Sequence, residues 1–186
     1  EVIGRVLNVF KSDIKDLEVG NTYQFIDPNT GKTVKKDLPP SDYIISNLPF
    51  VEAAKIKVVN PDIFGINAKI AVWLNQPRFS IPNKSDLIAY LPYFIWQLLN
   101  PDGQAGLIVS NAWLATDWGQ EFRKTLLRFF KISKVITSGE GKWFKNAQVV
   151  TNILVLIKRE TPVPAQEEDE ATSFVTLNLT IEDLED

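Results

Sequence analysis

The sequence has no cysteine, no histidine and no methionine, and these absences remove whole classes of chemistry. Without thiols there is neither a disulfide framework nor a thiolate metal site. Without imidazole the usual acid/base group of neutral pH and the commonest zinc ligand are missing as well. Ser-His-Asp and Cys-His hydrolases, zinc hydrolases and zinc deaminases are therefore excluded, and no metal site is expected. Methionine is missing even at position 1, so the chain is expected to be a piece of a longer protein. No apolar run approaches a membrane span and no signal peptide opens the chain. A cytoplasmic setting without a membrane partner is the expectation.

What is present suits one ordinary domain. A chain of 186 residues, 45% of them hydrophobic, buries about 70% of the surface that its unfolded form exposes. Charge is segregated along it. Residues 161–186 carry eight acidic groups and no Lys or Arg, which leaves 20 basic against 15 acidic groups in residues 1–160. The whole of that excess lies in residues 117–160. A phosphate-facing patch and a solvated helix face both fit it.

The stretch around which the rest is organised is Asp42-Tyr43-Ile44-Ile45-Ser46-Asn47-Leu48-Pro49-Phe50. Its apolar run reads as a buried strand, stopped by an amide, a proline and an aromatic. In open α/β sheets ligands bind beyond the carboxyl ends of strands, so Asn47, with an acceptor and two donors, stands where chemistry is expected. Pro49 stiffens the turn and Phe50 offers a flat apolar face. An ordinary strand-to-loop turn uses the same residue types.

Around this stretch the pattern is that of an α/β domain. Val6 to Phe10 reads as a strand and Lys11 to Leu17 as a loop, in which Asp13 faces a ligand or caps a turn. Turn signals at Asp27-Pro28-Asn29-Thr30-Gly31, flanked by Tyr23 to Ile26 and Thr33-Val34, predict a surface hairpin. Residues 51–84 show no clean period and read as a long loop, either functional or partly disordered. Residues 85–99 read as a helix capped by Ser85 and kinked at Pro92, closed by Asn100-Pro101-Asp102-Gly103. Ala105 to Val109 is a run of the kind found in strands covered on both faces. A second helix starts at Thr116 or Asp117 and runs through Phe130, and two strands follow around residues 135 and 149–158. Residues 160–171 have linker composition, and Ser173 to Leu179 forms one possible further strand.

Three of these places together resemble the S-adenosylmethionine-dependent N6-adenine DNA methyltransferases of restriction-modification type. Asn47-Leu48-Pro49-Phe50 is similar to their motif IV, commonly Asn/Asp/Ser-Pro-Pro-Tyr/Phe, with Leu48 in place of the first proline. Leu99-Asn100-Pro101-Asp102-Gly103, Gly106 to Leu114 and the basic helix after them match, in order and spacing, the family's Leu-Lys-Pro-Gly-Gly helix end, Ile-Val-Pro-Asn-Ser strand and following helix. Val135 to Phe144 followed by Val149 to Lys158 resembles the strand, motif VIII loop and strand near the end of the catalytic domain.

The resemblance implies an α/β fold, Rossmann-like and incomplete at the N-terminus, with a mixed sheet and an antiparallel edge pair. Residues 1–159 would be a partial catalytic domain, and residues 160–186 an acidic linker with a possible extra strand. It implies methyl transfer from S-adenosylmethionine to N6 of a flipped adenine. The Asn47 side chain and the Leu48 carbonyl would accept from the adenine amino group, Phe50 and Phe144 would stack on the base, and Trp143 is the next candidate for the second ring. Asp13 would bind the cofactor's amino group. The family's Gly-rich motif I should precede position 1, so this piece is expected to bind cofactor weakly or not at all and to be inactive alone. DNA, through the parent protein, and a specificity subunit or domain are the implied partners. Asn-Leu-Pro-Tyr/Phe is also usual in ribosomal-RNA adenine dimethyltransferases, which makes an RNA adenine methyltransferase one alternative. A catalytically inactive interaction module of the same fold is the other.

Overall fold

A computed structural model gives the fold and describes residues 10–27, 29–139, 143, 150–164 and 171–178. The predicted first strand, Val6 to Phe10, lies almost wholly outside them. The predicted hairpin is present: β1 (Thr22–Ile26) and β2 (Thr33–Asp37) pair antiparallel as a two-stranded sheet. Gly31 takes a positive φ of 66° in its turn, a conformation that glycine adopts without steric cost. Asp27 accepts from Asn29 N–H and Thr30 Oγ1 across the same turn, which holds its carboxyl below the usual carboxylate range.

The main sheet has five strands in the order β3 (Ser41–Asn47), β4 (Leu99–Ser110), β6 (Thr151–Lys158), β5 (Phe130–Ser138) and β7 (Ser173–Leu177). Neighbours β3 and β4 are parallel, β6 runs antiparallel to both β4 and β5, and β7 is parallel to β5. The expected antiparallel pair is therefore β5–β6. It sits inside the sheet, because the strand predicted near Ser173 pairs with β5 and takes the edge.

One face of this sheet is fully packed. Ala105, Leu107, Val109, Leu154 and Leu156 are buried in a core shared with α3 (Leu91–Leu98) and α4 (Asp117–Phe129). Trp73, Tyr93, Trp96 and Phe129 make edge-on and tilted ring contacts there, with centroids 5.0 to 6.0 Å apart, in the range where aromatic pairs attract. On the other face the register aligns Ile45 with Gly106 and Asn47 with Ile108. Here Tyr43 and Ile45 are 73% and 87% exposed.

Four expectations change. The strand read as buried, β3, is an edge strand: its apolar run is that of a strand covered on both faces, but the described residues cover only one. Residues 51–84 hold α1 (Ala53–Val59), a 3-10 turn (Pro61–Gly65) and α2 (Ile66–Trp73). Their buried stripe of Ile56, Ile63, Ile66, Ile70 and Leu74 has helical spacing, but Asn60-Pro61 breaks the helix and so hides the period. The predicted kinked helix is a short 3-10 turn (Leu87–Ala89) followed by α3, and Pro92 lies in the first turn of α3, where its missing N–H costs nothing. The residues 100–103 read as a turn lie inside β4. They loop out between two pairings, Ser41 with Leu99 and Tyr43 with Gln104. Asp102 has a φ of 60° within this loop.

The second predicted helix is α4, and Thr116 caps it by accepting from Gly119 N–H. Its start is locked onto the preceding 3-10 turn (Asn111–Leu114). A Cβ built on Gly119 would lie 2.0 Å from the Trp113 carbonyl oxygen, so only glycine allows this approach.

Candidate active site

The end of β3 and the loop after it form a small bonded frame. Asn47 is the last residue of the strand, and Leu48 N–H continues the parallel ladder to Ile108 O at 3.0 Å. The Leu48 side chain is buried in the core. It anchors the turn, while its neighbours Asn47 and Pro49 are exposed and Phe50 is half-buried. Val51 N–H donates to Pro49 O at 3.1 Å, a three-residue turn with Phe50 at its centre. No donor among the described residues reaches the Leu48 carbonyl, and the Asn47 amide likewise bonds to none of them. Neither group has a hydrogen-bond partner among the described residues.

The far side of the loop is fixed by residues that sequence reasoning missed. Leu87 N–H donates to Val51 O at 2.9 Å, and Ala53 N–H donates to Asp86 Oδ1 at 3.1 Å. Burial, opposed by the Ala53 N–H and aided by nearby Glu52, raises the Asp86 carboxyl above the usual aspartate value. Nothing in the local sequence ties residues 86 and 87 to residues 51 and 53, because the partners come from separate segments. Ser110 and Thr151 were missed as well. They pair across β4 and β6, two residues beyond Ile108 and thus on the same face as Asn47, and both are buried. Thr151 Oγ1 has no hydrogen-bond partner among the described residues.

The other predicted site residues are placed unevenly. Asp13 caps the 3-10 turn Ile14–Asp16, accepting from Lys15 N–H at 3.2 Å, and Lys15 Nζ lies 3.8 Å from its other oxygen. The carboxylate is exposed and keeps room for another donor. Phe144 lies outside the described residues. Trp143 is half-buried, with its Nε1 shielded and unpartnered among the described residues. The basic groups of α4 have internal partners: Arg123 bonds to Trp113 O at 2.6 Å, Lys124 to Glu121 at 2.9 Å and Arg128 to Val163 O at 2.9 Å. No group of three or more potential metal-ligating side chains occurs among the described residues, and no helix among them is long and apolar enough to cross a membrane.

The sequence model of the Eco57I restriction-modification methylase family matches residues 11–144. That match spans most of the chain and includes the whole frame around Asn47. The chain belongs to the Eco57I restriction-modification methylase family.

Solved structures similar to this Eco57I-family chain include a class I S-adenosylmethionine-dependent methyltransferase from Listeria monocytogenes. It is 20% identical with a TM-score of 0.47, over 73% of this chain and 37% of that one. The M protein of the type I restriction enzyme EcoKI is 20% identical with a TM-score of 0.43, over 65% and 21%. The type ISP restriction-modification enzyme LlaBIII, solved bound to DNA, is 14% identical with a TM-score of 0.49, over 76% and 10%. The chain thus spans 37% or less of the length of each of these proteins. Its single Gly-x-Gly, Gly139-Glu140-Gly141, falls after β5 and well past Asn47, so it does not stand in for a glycine-rich turn ahead of motif IV.

Proposed function

We propose that this chain carries the target-base side of a DNA adenine-N6 methyltransferase from a restriction-modification system. The observation that carries the reading is the Asn47-Leu48-Pro49-Phe50 turn at a strand end, its Asn47 amide and Leu48 carbonyl unpartnered among the described residues, in a chain of a restriction-modification methylase family. Family membership favours DNA over ribosomal RNA as the substrate, even though Leu48 taken alone favours the RNA enzymes.

The chain's own residues position the acceptor. The Asn47 side-chain oxygen and the Leu48 carbonyl accept from the adenine amino group. This favours a tetrahedral nitrogen with its lone pair directed outward, an effect of orientation and fixed dipoles that needs no histidine. Phe50, centred in its turn, stacks on the extruded base, and Phe144 stacks on the opposite side. Stacking at about 1 to 3 kcal/mol per contact offsets the few kcal/mol that base extrusion costs.

S-adenosylmethionine, when bound, supplies the electrophilic methyl group. The exposed Asp13 carboxylate suits the amino group of its adenine. The polypeptide acts in the cytoplasm, where its partners are DNA and a specificity subunit or domain.

Substituting Asn47→Ala in the whole protein tests the assignment. With folding intact, methyl transfer from labelled S-adenosylmethionine to adenine-unmethylated DNA is expected to fall by at least about a hundredfold. Unchanged transfer would sink it in favour of an inactive scaffold, and transfer to RNA alone would move it to the RNA enzymes.

A further inference from the structure

The loop carrying Phe50 leaves the sheet after Leu48 and enters α1 at Ala53. Two bonds tie its exit to the Asp86-Leu87 dipeptide. Leu87 N–H holds Val51 O and Asp86 Oδ1 holds Ala53 N–H, at 2.9 and 3.1 Å. Asp86 stands at the N-cap of the 3-10 turn Leu87–Ala89 yet makes no side-chain cap bond to it. Its carboxylate is committed instead to a backbone donor 33 residues away. Leu87 and Ser85, on either side of it, are fully buried, so the dipeptide is a rigid point on the core.

We propose that Asp86 is a positioning residue for the methyl-accepting turn. Its carboxylate, acting with the Leu87 N–H, fixes the exit of the loop so that the Phe50 ring and the Leu48 carbonyl face the target base together. The inference rests on the function proposed above. Asp86 touches no reacting atom. It acts through Ala53, and only its acceptor oxygen matters, so an amide serves as well as a carboxylate at this position.

The test compares D86A, D86N and N47A in the whole protein, using adenine-unmethylated plasmid DNA and labelled S-adenosylmethionine. D86A is expected to lower kcat by about tenfold to a hundredfold, with KM for S-adenosylmethionine within about twofold of wild type. Faster hydrogen exchange at the Ala53 amide should accompany it. D86N is expected to recover kcat to within about threefold of wild type, because its side-chain oxygen still accepts from Ala53 N–H. If N47A is inactive and D86A turns over at the wild-type rate, the positioning role is wrong and the function stands. If N47A retains full activity, both fall. Should D86A fail to fold, D86N decides alone: recovery of kcat supports the role, and a loss in a folded D86N protein overturns it.

Discussion

Asp86 shows how a single residue can be placed for geometry against its own electrostatics. Burial raises its carboxyl pKa, so the ionised form costs stability in the folded state. Between the ordinary aspartate value of about 3.9 and the raised folded value, the native state binds more protons than the unfolded one. The contribution of Asp86 to stability is therefore complete below the ordinary value and is lost as pH rises through the folded value. The charge of nearby Glu52 adds to the upward shift. Urea denaturation across that range is expected to show this decline in the wild-type chain and a weaker one in D86N. An identical pH profile for the two would mean that Asp86 is solvated as in water. Leu48 illustrates the opposite case. Its identity is a departure from the commonest motif IV pattern, but its side chain fills a core position, so Leu48→Ala is expected to cost about 2 to 5 kcal/mol of stability.

Among the elements, α4 and the 3-10 turn before it approach each other most closely at Gly119, against the Trp113 backbone. Gly119→Ala puts a methyl against the Trp113 carbonyl, and overpacking of this kind costs about 1 to 3 kcal/mol. A lower urea midpoint with unchanged slope would register it, and a wild-type midpoint would show that the two elements can part. The α4 helix was legible in the sequence because Thr116 marks its start and the apolar positions through Phe122 and Leu126 keep a helical period. The hairpin was legible from its turn residues and the β5–β6 pair from its apolar runs. What could not be read has physical causes. Asn60-Pro61 splits one buried stripe across three short helical pieces. Pro92 fits a helix start as well as a kink, and only the tertiary setting decides between them. The turn residues 100–103 carry the same signal whether they end a helix or bulge within a strand. Of the site, the residues contiguous in sequence, Asn47 to Phe50, were legible. Asp86 reaches it through a bond from a separate segment of the chain, and Ser110 and Thr151 share the sheet face of Asn47 only through the strand register.

At the scale of the whole molecule the sheet is packed on one face and open on the other beside Asn47. Exposed apolar side chains on an edge strand invite pairing with other chains. The isolated chain is expected to associate as its concentration rises, and Ile45→Lys should suppress this in sedimentation experiments at little cost in stability, since Ile45 is 87% exposed. Association unaffected by that change would place the sticky surface elsewhere. Isothermal titration of the chain with S-adenosylmethionine is expected to give no measurable heat of binding, and clear binding would show that the cofactor site is contained in these residues.

The loop inside β4 also makes the chain's length independent of its register. Between Leu99 and Gln104, residues 100–103 stand opposite a single residue of β3, Asp42, and Pro101 and Asp102 point to solvent. Extra residues placed between those two lengthen the loop without turning Gln104 to Ser110 over, so every side chain of the strand keeps its face. A short peptide tag or a labelling site can therefore enter the middle of this domain here, on the side away from the carboxyl ends of β3 and β4.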